Sequence, residues 1–552
     1  MALTTRNRGR AKPVPAPLIG SFLLESITTG MYGERKNAIR EYVQNSYDGI
    51  QTAIEEKVLR SGAGKVTLTI APDKKILTIL DNGVGLSHRV AVKTLTAVGA
   101  SRKERGRQAG FRGIGRLAGI AFCETLRFRT KAAGEDLETI VEFDCNELRS
   151  GMLRSGRKPA AELITACATY DQIKVADPRA HYFEVSLVGL KNAPVEAIDP
   201  LQLRLFLSQV APVDFHPDFK AFRDRIMDEV DALEMPELVD PVTDDDEDED
   251  GEDLPDWSAL EDDAETLLER IPFTFISVII RHSSPIKEEQ VFKPYRPKLG
   301  VDDSDNIPLQ GITIHSGASG AWWGWVGHKA KPGGYQDESV SGLRFRVKNI
   351  QIDGNDLITL VPTTNEIRSS FRWSNWFIGE IYIDPRAVVP NARRDNFEEE
   401  PRWLAIRKEL NPLCQSLTSE ARRVSRDHQA SVEVLEGKAE KLRTAYLVTS
   451  NAKTFDVKKA EKILRDSDSL QKDIEKASKG APAVEQIRLK AMTKEVTQIR
   501  VGLLEQPKTP EYERFRGAIK AEFLKITLSV LNNHLDMDQF EEVKEELERK
   551  IR

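Results

Sequence analysis

Short β-branched runs of strand-like pattern recur along residues 20–200: KVTLTI at 65–70, KILTIL at 75–80 and YFEVSLVGL at 182–190. Stretches of helical apolar spacing and glycine-rich connections lie between them. That alternation predicts a mixed α/β domain over 20–200. The helical segment PLQLRLFLSQVAPVDF then leads into a connector, 201–270. Strand-like runs return in IPFTFISVII, GLRFRVKNIQI and WFIGEIYI, predicting a second α/β domain over 271–400. After Pro401 the chain turns to Lys, Glu, Ala and Leu at helical spacing, as in VEVLEGKAEKLRTAYLV and FEEVKEELERKIR, predicting a helical domain over 401–552.

Composition changes this picture in three places. The 552 residues carry a net charge of −7, but residues 244–263, DDDEDEDGEDLPDWSALEDD, hold thirteen acids and no base; taking thirteen negative charges from −7 leaves +6. Like charges at that density repel and are expected to form a solvated insertion in the connector. Residues 1–19, with TRNRGRAK, read as a short basic arm, either solubilising or in contact with nucleic acid. No apolar run approaches the ~18 residues of a membrane span and no signal-peptide core is present, so a cytoplasmic protein is expected. Cys123, Cys145, Cys167 and Cys414 form no C-x-x-C pair, which predicts reduced core thiols rather than zinc or disulfides.

Candidate chemistry begins at REYVQNSYDG, residues 40–49. On a helix, Glu41, Asn45 and Asp48 share one face, while Ile39, Tyr42, Ile50 and Ile54 supply apolar contacts elsewhere. A solvated face would look the same, so the stripe acquires meaning only from two motifs farther along the chain. Asp81-Asn82-Gly83-Val84-Gly85 sets a carboxylate at a strand end, before glycines that admit close approach of a ligand. GASRKERGRQAGFRGIGRLAG then carries Gly110, Gly113, Gly115 and Gly119 ahead of a helical run, a pattern suited to cradling phosphate. It also holds Arg102, Lys103, Arg105, Arg107, Arg112 and Arg116 against the single acid Glu104, which calls for a polyanionic ligand. The glycines do not follow the first strand of a βαβ unit as a dinucleotide fingerprint would, and there is no P-loop.

The order E-x-x-x-N-x-x-D, D-x-G-x-G, G-x-x-G-x-G resembles the GHKL ATPases, the superfamily of gyrase, histidine kinases, MutL and the heat shock protein 90 (HtpG-type) chaperones. The resemblance implies a Bergerat-type α/β sandwich that binds and hydrolyses ATP with Mg2+. Asn45 would coordinate the metal and Glu41 would be the general base. Asp81 would accept the adenine amine, with Gly83 and Gly85 giving the base room. Gly110, Gly113 and Gly115 would wrap the phosphates as a lid, with Ser101 and Lys103 at its hinge and Arg116 on the phosphate side. Asp48 would join the site or brace the helix. Many family members have Gly-Thr on the strand where this chain has Tyr182-Phe183, so no threonine contact to adenine is assigned.

Within 271–400, GEIYIDPRAVVPNARRDNFEEE resembles the segment of the chaperones' middle transducer domain that sends an arginine to the γ-phosphate. Arg394 takes that role, with Arg393 the near alternative; both could also be ordinary surface partners of Asp395 and Glu398. Trp322, Trp323 and Trp325 read as core packing, with exposed rings the signature of a client or nucleic-acid surface. The expectation is a chaperone-like ATPase working as a homodimeric clamp through its helical end, on a protein client. The alternative is a DNA-handling clamp of MutL or MORC type. A histidine kinase would need a phosphoacceptor helix before the ATP domain, and only a short tail precedes residue 20.

Overall fold

The structure, a computed structural model, describes residues 22, 25, 35–99, 115–154, 159–233, 266–283, 285–301, 304–352, 357–361, 371–391, 394–429, 431–452, 456–478, 483–504, 510–532, 539–541, 543–544 and 546–547. The basic arm, the acidic insertion, Ser101, Lys103, Gly110, Gly113 and Arg393 lie outside the described residues. Residues 1–419 form one compact unit and residues 420–552 a second.

The first unit contains a long helix, α1 (Asn37–Glu55), and fifteen described strands. Eight of them, β1 (Lys65–Ala71), β2 (Ile76–Asp81), β3 (Thr125–Lys131), β4 (Leu137–Asp144), β5 (Ala168–Lys174), β6 (Tyr182–Val188), β7 (Ser277–Ser283) and β8 (Ile286–Val291), build one sheet in the order β5-β4-β3-β6-β2-β1-β7-β8. Every neighbouring pair is antiparallel except β1 with β7. Alternation explains why this surface pairs with α1: Val66, Leu68 and Ile70 of β1 are fully buried, and they share a core with Leu77, Leu126, Phe128 and the helix residues Ile39, Tyr42, Val43 and Ile50. The run IPFTFISVII, read from sequence as the start of the second α/β region, supplies β7 to this first sheet. Apolar alternation identifies a strand but not its partner, and a parallel neighbour can come from far along the chain.

The remaining strands are β9 (Lys298–Val301), β10 (Ser304–Pro308), β11 (Gly311–Ser316), β12 (Trp322–His328), β13 (Gly342–Val347), β14 (Ile350–Ile352) and β15 (Ile378–Ile383). β9 pairs with β10, and the other five form a mixed sheet, β11-β12-β15-β13-β14. Trp322, Trp323 and Trp325 are core residues of β12; Trp323 stacks on Tyr382 with ring centroids 4.2 Å apart and donates its Nε1 hydrogen to the Ile271 carbonyl at 3.3 Å. The tryptophans therefore offer no binding platform.

A buried charge cluster ties the elements of this unit together. Glu380 of β15 accepts hydrogen bonds from Lys293, just beyond β8, at 2.5 Å and from Arg346 of β13. Burial pushes its carboxyl up, but the two cations outweigh that and bring it down to about 2. Arg346 also donates to the Gln209 carbonyl at 2.8 Å, near the end of the helix Pro200–Val210. Removing one partner from such a cluster leaves an uncompensated buried charge, so it fixes the geometry of β8, β13 and β15 relative to one another.

In the second unit, the helices Val432–Ser450, Val457–Ser478 and Ala483–Leu504 pack around Leu435, Ala439, Leu442, Ile463, Leu470 and Val496. Leu435, Ala439 and Leu442 show the i, i+4, i+7 spacing of one buried helical face. No helix among the described residues is long and apolar enough to cross a membrane, and the four cysteines are buried and free.

Candidate ATP site

The site is built on α1. Glu41 and Asp48 are buried, and Asn45 between them is half-buried, so the stripe read from the sequence faces protein rather than solvent. The turn after β2 lies against the same helix. Val84 donates its backbone N–H to the Gly49 carbonyl at 3.0 Å, and a Cβ on Gly83 would sit 2.6 Å from the Gly49 carbonyl carbon. Glycine is therefore required at 83 by the approach of two backbones. Gly85 has φ +68°, and a Cβ there would collide with the Lys131 carbonyl, so both its conformation and its surroundings exclude a side chain.

Asp81, at the end of β2, is 3% exposed. One of its oxygens accepts the Gly83 N–H at 2.9 Å, and the carboxyl also accepts from the Ser46 hydroxyl and the Phe183 backbone N–H. Burial pushes its pKa up to about 7, against the pull of those three donors. Phe183, opposite Asp81 in the β2–β6 register, turns its ring onto Phe128 with centroids 6.0 Å apart. The hydroxyl beside the carboxylate thus comes from Ser46 on the helix, a residue that sequence reasoning does not single out. Its only sequence signal is adjacency to Asn45. A second hydroxyl, Thr130 on β3, joins the same region by accepting the Leu86 N–H at 2.8 Å and donating to the Tyr182 carbonyl at 3.2 Å.

Gly115 begins a 3-10 stretch, Gly115–Ala121, that packs on α1. A Cβ at Gly115 would collide with the Glu41 carboxylate, and Tyr42 accepts the Gly119 N–H on its hydroxyl at 2.8 Å. The C-terminal end of the glycine-rich segment is therefore anchored beside Glu41. Arg116 donates to the Thr94 carbonyl, and burial lowers its pKa. Asp48 lies on the flank of the helix, where with Tyr47, Gln51, Thr52, Ile271 and Pro385 it lines a partly open cavity of about 150 Å³.

Arg394 reaches this helix from 353 residues away: its Nε donates to Glu41 Oε1 at 3.0 Å, with Arg394 only 9% exposed. Its backbone has φ +57°, a conformation that costs a non-glycine residue about 1 kcal/mol or more unless its surroundings enforce it. The surroundings do so. Arg394 N–H donates to the Asn391 carbonyl at 3.1 Å, Asn391 Nδ2 donates to Asp395 at 2.6 Å, and Pro390 bridges Phe397. Phe397 in turn packs on Trp403 with centroids 4.5 Å apart. An exposed surface pair would have neither this burial nor this anchoring.

Comparison with known proteins points to the same segment. The sequence model of a family described as histidine kinase-, DNA gyrase B- and HSP90-like ATPase matches residues 33–172. The chaperone protein HtpG of Psychrobacter arcticus is 26% identical over 139 residues, covering 22% of this chain and 21% of the relative. HtpG of Alcanivorax borkumensis is 26% identical over 142 residues, 22% of this chain and 23% of the relative, and HtpG of Rhodospirillum rubrum 27% over 129 residues, 22% and 18%. The similarity thus spans about a fifth of these relatives' length. The matched segment carries α1, the Asp81 turn and Gly115 together, so it is over residues 33–172 that the chain is similar to the histidine kinase-, DNA gyrase B- and HSP90-like ATPase family.

Proposed function

We propose that the protein binds ATP against α1 and the Asp81–Gly85 turn and hydrolyses it with Glu41 as general base. The observation that carries this reading is the Arg394–Glu41 contact, because it brings a cation from beyond the matched segment to an acid on the helix inside it. Glu41 would accept the proton of the attacking water, and Arg394 would stabilise charge on the transferring phosphoryl group. Arg394 occupies one Glu41 oxygen, so a γ-phosphate that drew the guanidinium to itself would also free the base.

Among the described residues no three His, Cys, Asp or Glu side chains converge on one point, so no protein-only metal cage is present. The Asn45 amide beside the Glu41 carboxylate suits Mg2+, which accepts one or two protein oxygens completed by phosphate and water. When bound, that ion would neutralise phosphate charge. Phosphate release from ATP by the full-length protein should require Mg2+ and stop in excess chelator; chelator-resistant hydrolysis would count against the assignment.

Asp81 gives the reading a pH dependence. Its carboxyl, at about 7 in the folded protein against an ordinary 3.8, holds a proton between those values that the unfolded chain releases. Stability contributed by the neutral form is therefore lost as pH rises through that window. An adenine amine donates more strongly to the ionised form than to the protonated acid, so nucleotide affinity should move the other way and rise by up to about tenfold from pH 6 to pH 8, the change in the ionised fraction. Calorimetric titration with ADP in both buffers checks this, and Asp81→Asn should abolish binding. An unchanged affinity across that range in the wild type would remove Asp81 from the base site.

The chaperone-like role rests on the relatives, which are named chaperone proteins, and a cytoplasmic homodimer acting on a protein client is the fuller form of the proposal. Sedimentation with and without nucleotide tests the dimer; a monomer in both would contradict it.

A further inference from the structure

The turn that carries Asp81 is held from outside by a side chain that belongs to neither α1 nor the glycine-rich segment. His181, the residue before β6, sets its Nδ1 2.8 Å from the Gly83 carbonyl oxygen. A carbonyl only accepts, so the ring donates from Nδ1, which both the Nδ1–H neutral tautomer and the imidazolium can do. The peptide it grips has little freedom elsewhere. Gly83 N–H is taken by Asp81, Val84 N–H by the Gly49 carbonyl, and Leu86 N–H by Thr130. The Gly83 carbonyl is the member of this set that reaches across to the β5–β6 loop.

That loop is itself fastened to the site. Lys131 at the end of β3 is fully buried, and its Nζ donates to the carbonyls of Pro178 at 3.1 Å and Ala180 at 2.6 Å. Gly134 N–H donates to the same Pro178 carbonyl at 2.9 Å. Lys131 is also the residue whose own carbonyl abuts Gly85. The end of β3, the loop 175–181 and the Gly83–Gly85 turn are therefore one hydrogen-bonded body, with His181 as its link to the peptide two residues after Asp81.

We infer that His181 is a positioning residue for nucleotide recognition: by holding the Gly83 carbonyl it fixes the turn in the form in which Asp81 faces the base. The inference rests on Asp81 as the base-reading carboxylate. The described hydrogen bonds of His181 do not reach Glu41 or Arg394, so its contribution lies in binding and is the same in the ground state and the transition state.

The test compares His181→Leu and His181→Asn in the full-length protein, with Asp81→Asn alongside. Asparagine can present a side-chain N–H close to where Nδ1 lies; leucine cannot. His181→Leu should raise KM for ATP and the Kd for ADP, measured by calorimetry, roughly five- to tenfold, the scale of one hydrogen bond to a buried peptide, with kcat unchanged. His181→Asn should restore most of the affinity. Preference for ATP over GTP should narrow in the leucine variant only. His181 is partly exposed, so neither substitution should prevent folding; a wild-type KM in the asparagine variant beside a raised KM in the leucine variant supports the donor role, whereas a KM raised equally in both shows that only the ring mattered and overturns it. An unchanged KM in the leucine variant, or a fall in kcat at constant KM, also overturns it. If Asp81→Asn loses ADP binding while His181→Leu keeps it, only the His181 inference falls. If Asp81→Asn binds ADP normally, the base-reading assignment falls and takes this inference with it.

Discussion

Glu41→Ala should bind ATP with near-wild-type affinity and hydrolyse it about 10²–10⁴-fold more slowly, the usual contribution of a positioned general base. The carboxylate sits between the anchored end of the glycine-rich segment at Gly115 and the Arg394 guanidinium, and the proposed contacts to base and phosphate come from other residues. Binding should survive for that reason. Removing the acid also takes one partner from a buried arginine, which by itself can cost stability. Glu41→Gln separates the two effects: its amide oxygen still accepts from Arg394 but cannot take a proton from water. Both variants should therefore be comparably slow, with the glutamine variant melting closer to wild type. Turnover at the wild-type rate in Glu41→Gln would show that another group takes the proton.

Arg394→Ala should leave nucleotide affinity within a few-fold of wild type and lower turnover on the order of 10²–10³-fold, the scale of losing one preorganised electrostatic contact. A guanidinium can meet phosphate oxygens with two parallel hydrogen bonds, and an ammonium cannot, so Arg394→Lys should rescue poorly. The left-handed backbone at 394 supplies a control. Glycine adopts φ +57° without strain, so Arg394→Gly removes the side chain while easing the backbone. If Arg394→Gly and Arg394→Ala lose the same turnover, the guanidinium is responsible; if glycine keeps wild-type turnover, the loop conformation was what mattered. Stopped-assay phosphate release at saturating ATP, with ADP binding measured separately, distinguishes these results.

The sequence disclosed those parts of the site that repeat at helical spacing or sit at a strand end. Glu41, Asn45 and Asp48 stand out only because the Asp81 turn and the glycine-rich segment follow them in order, since a solvated helix face would carry the same spacing, and Asp81 because its glycines exceed what a turn needs. Contacts made across long stretches of chain were less accessible. A motif could suggest Arg394 as a partner of the phosphate, but only the fold shows it on Glu41. Ser46, Thr130 and His181 each bond to a group fixed by tertiary structure, and nothing in their local sequence distinguishes them from ordinary strand or helix residues. The same limit explains β7 and β8: their apolar pattern marks them as strands, while the parallel pairing of β7 with β1 depends on some two hundred intervening residues. The tryptophans of β12 and the helices after residue 401 follow directly from composition and spacing, since burial of large apolar surface dominates there.

The central claim, that Glu41 and Arg394 act on one phosphoryl transfer although they come from opposite ends of the first unit, is tested most directly by turnover at saturating Mg-ATP for Glu41→Gln, Arg394→Ala and the double variant. Groups that serve the same transition state are strongly non-additive, so the double variant should be no more than a few-fold slower than the slower single variant. A double variant slowed by the full product of the two single effects, or wild-type turnover in either single variant, would contradict the account.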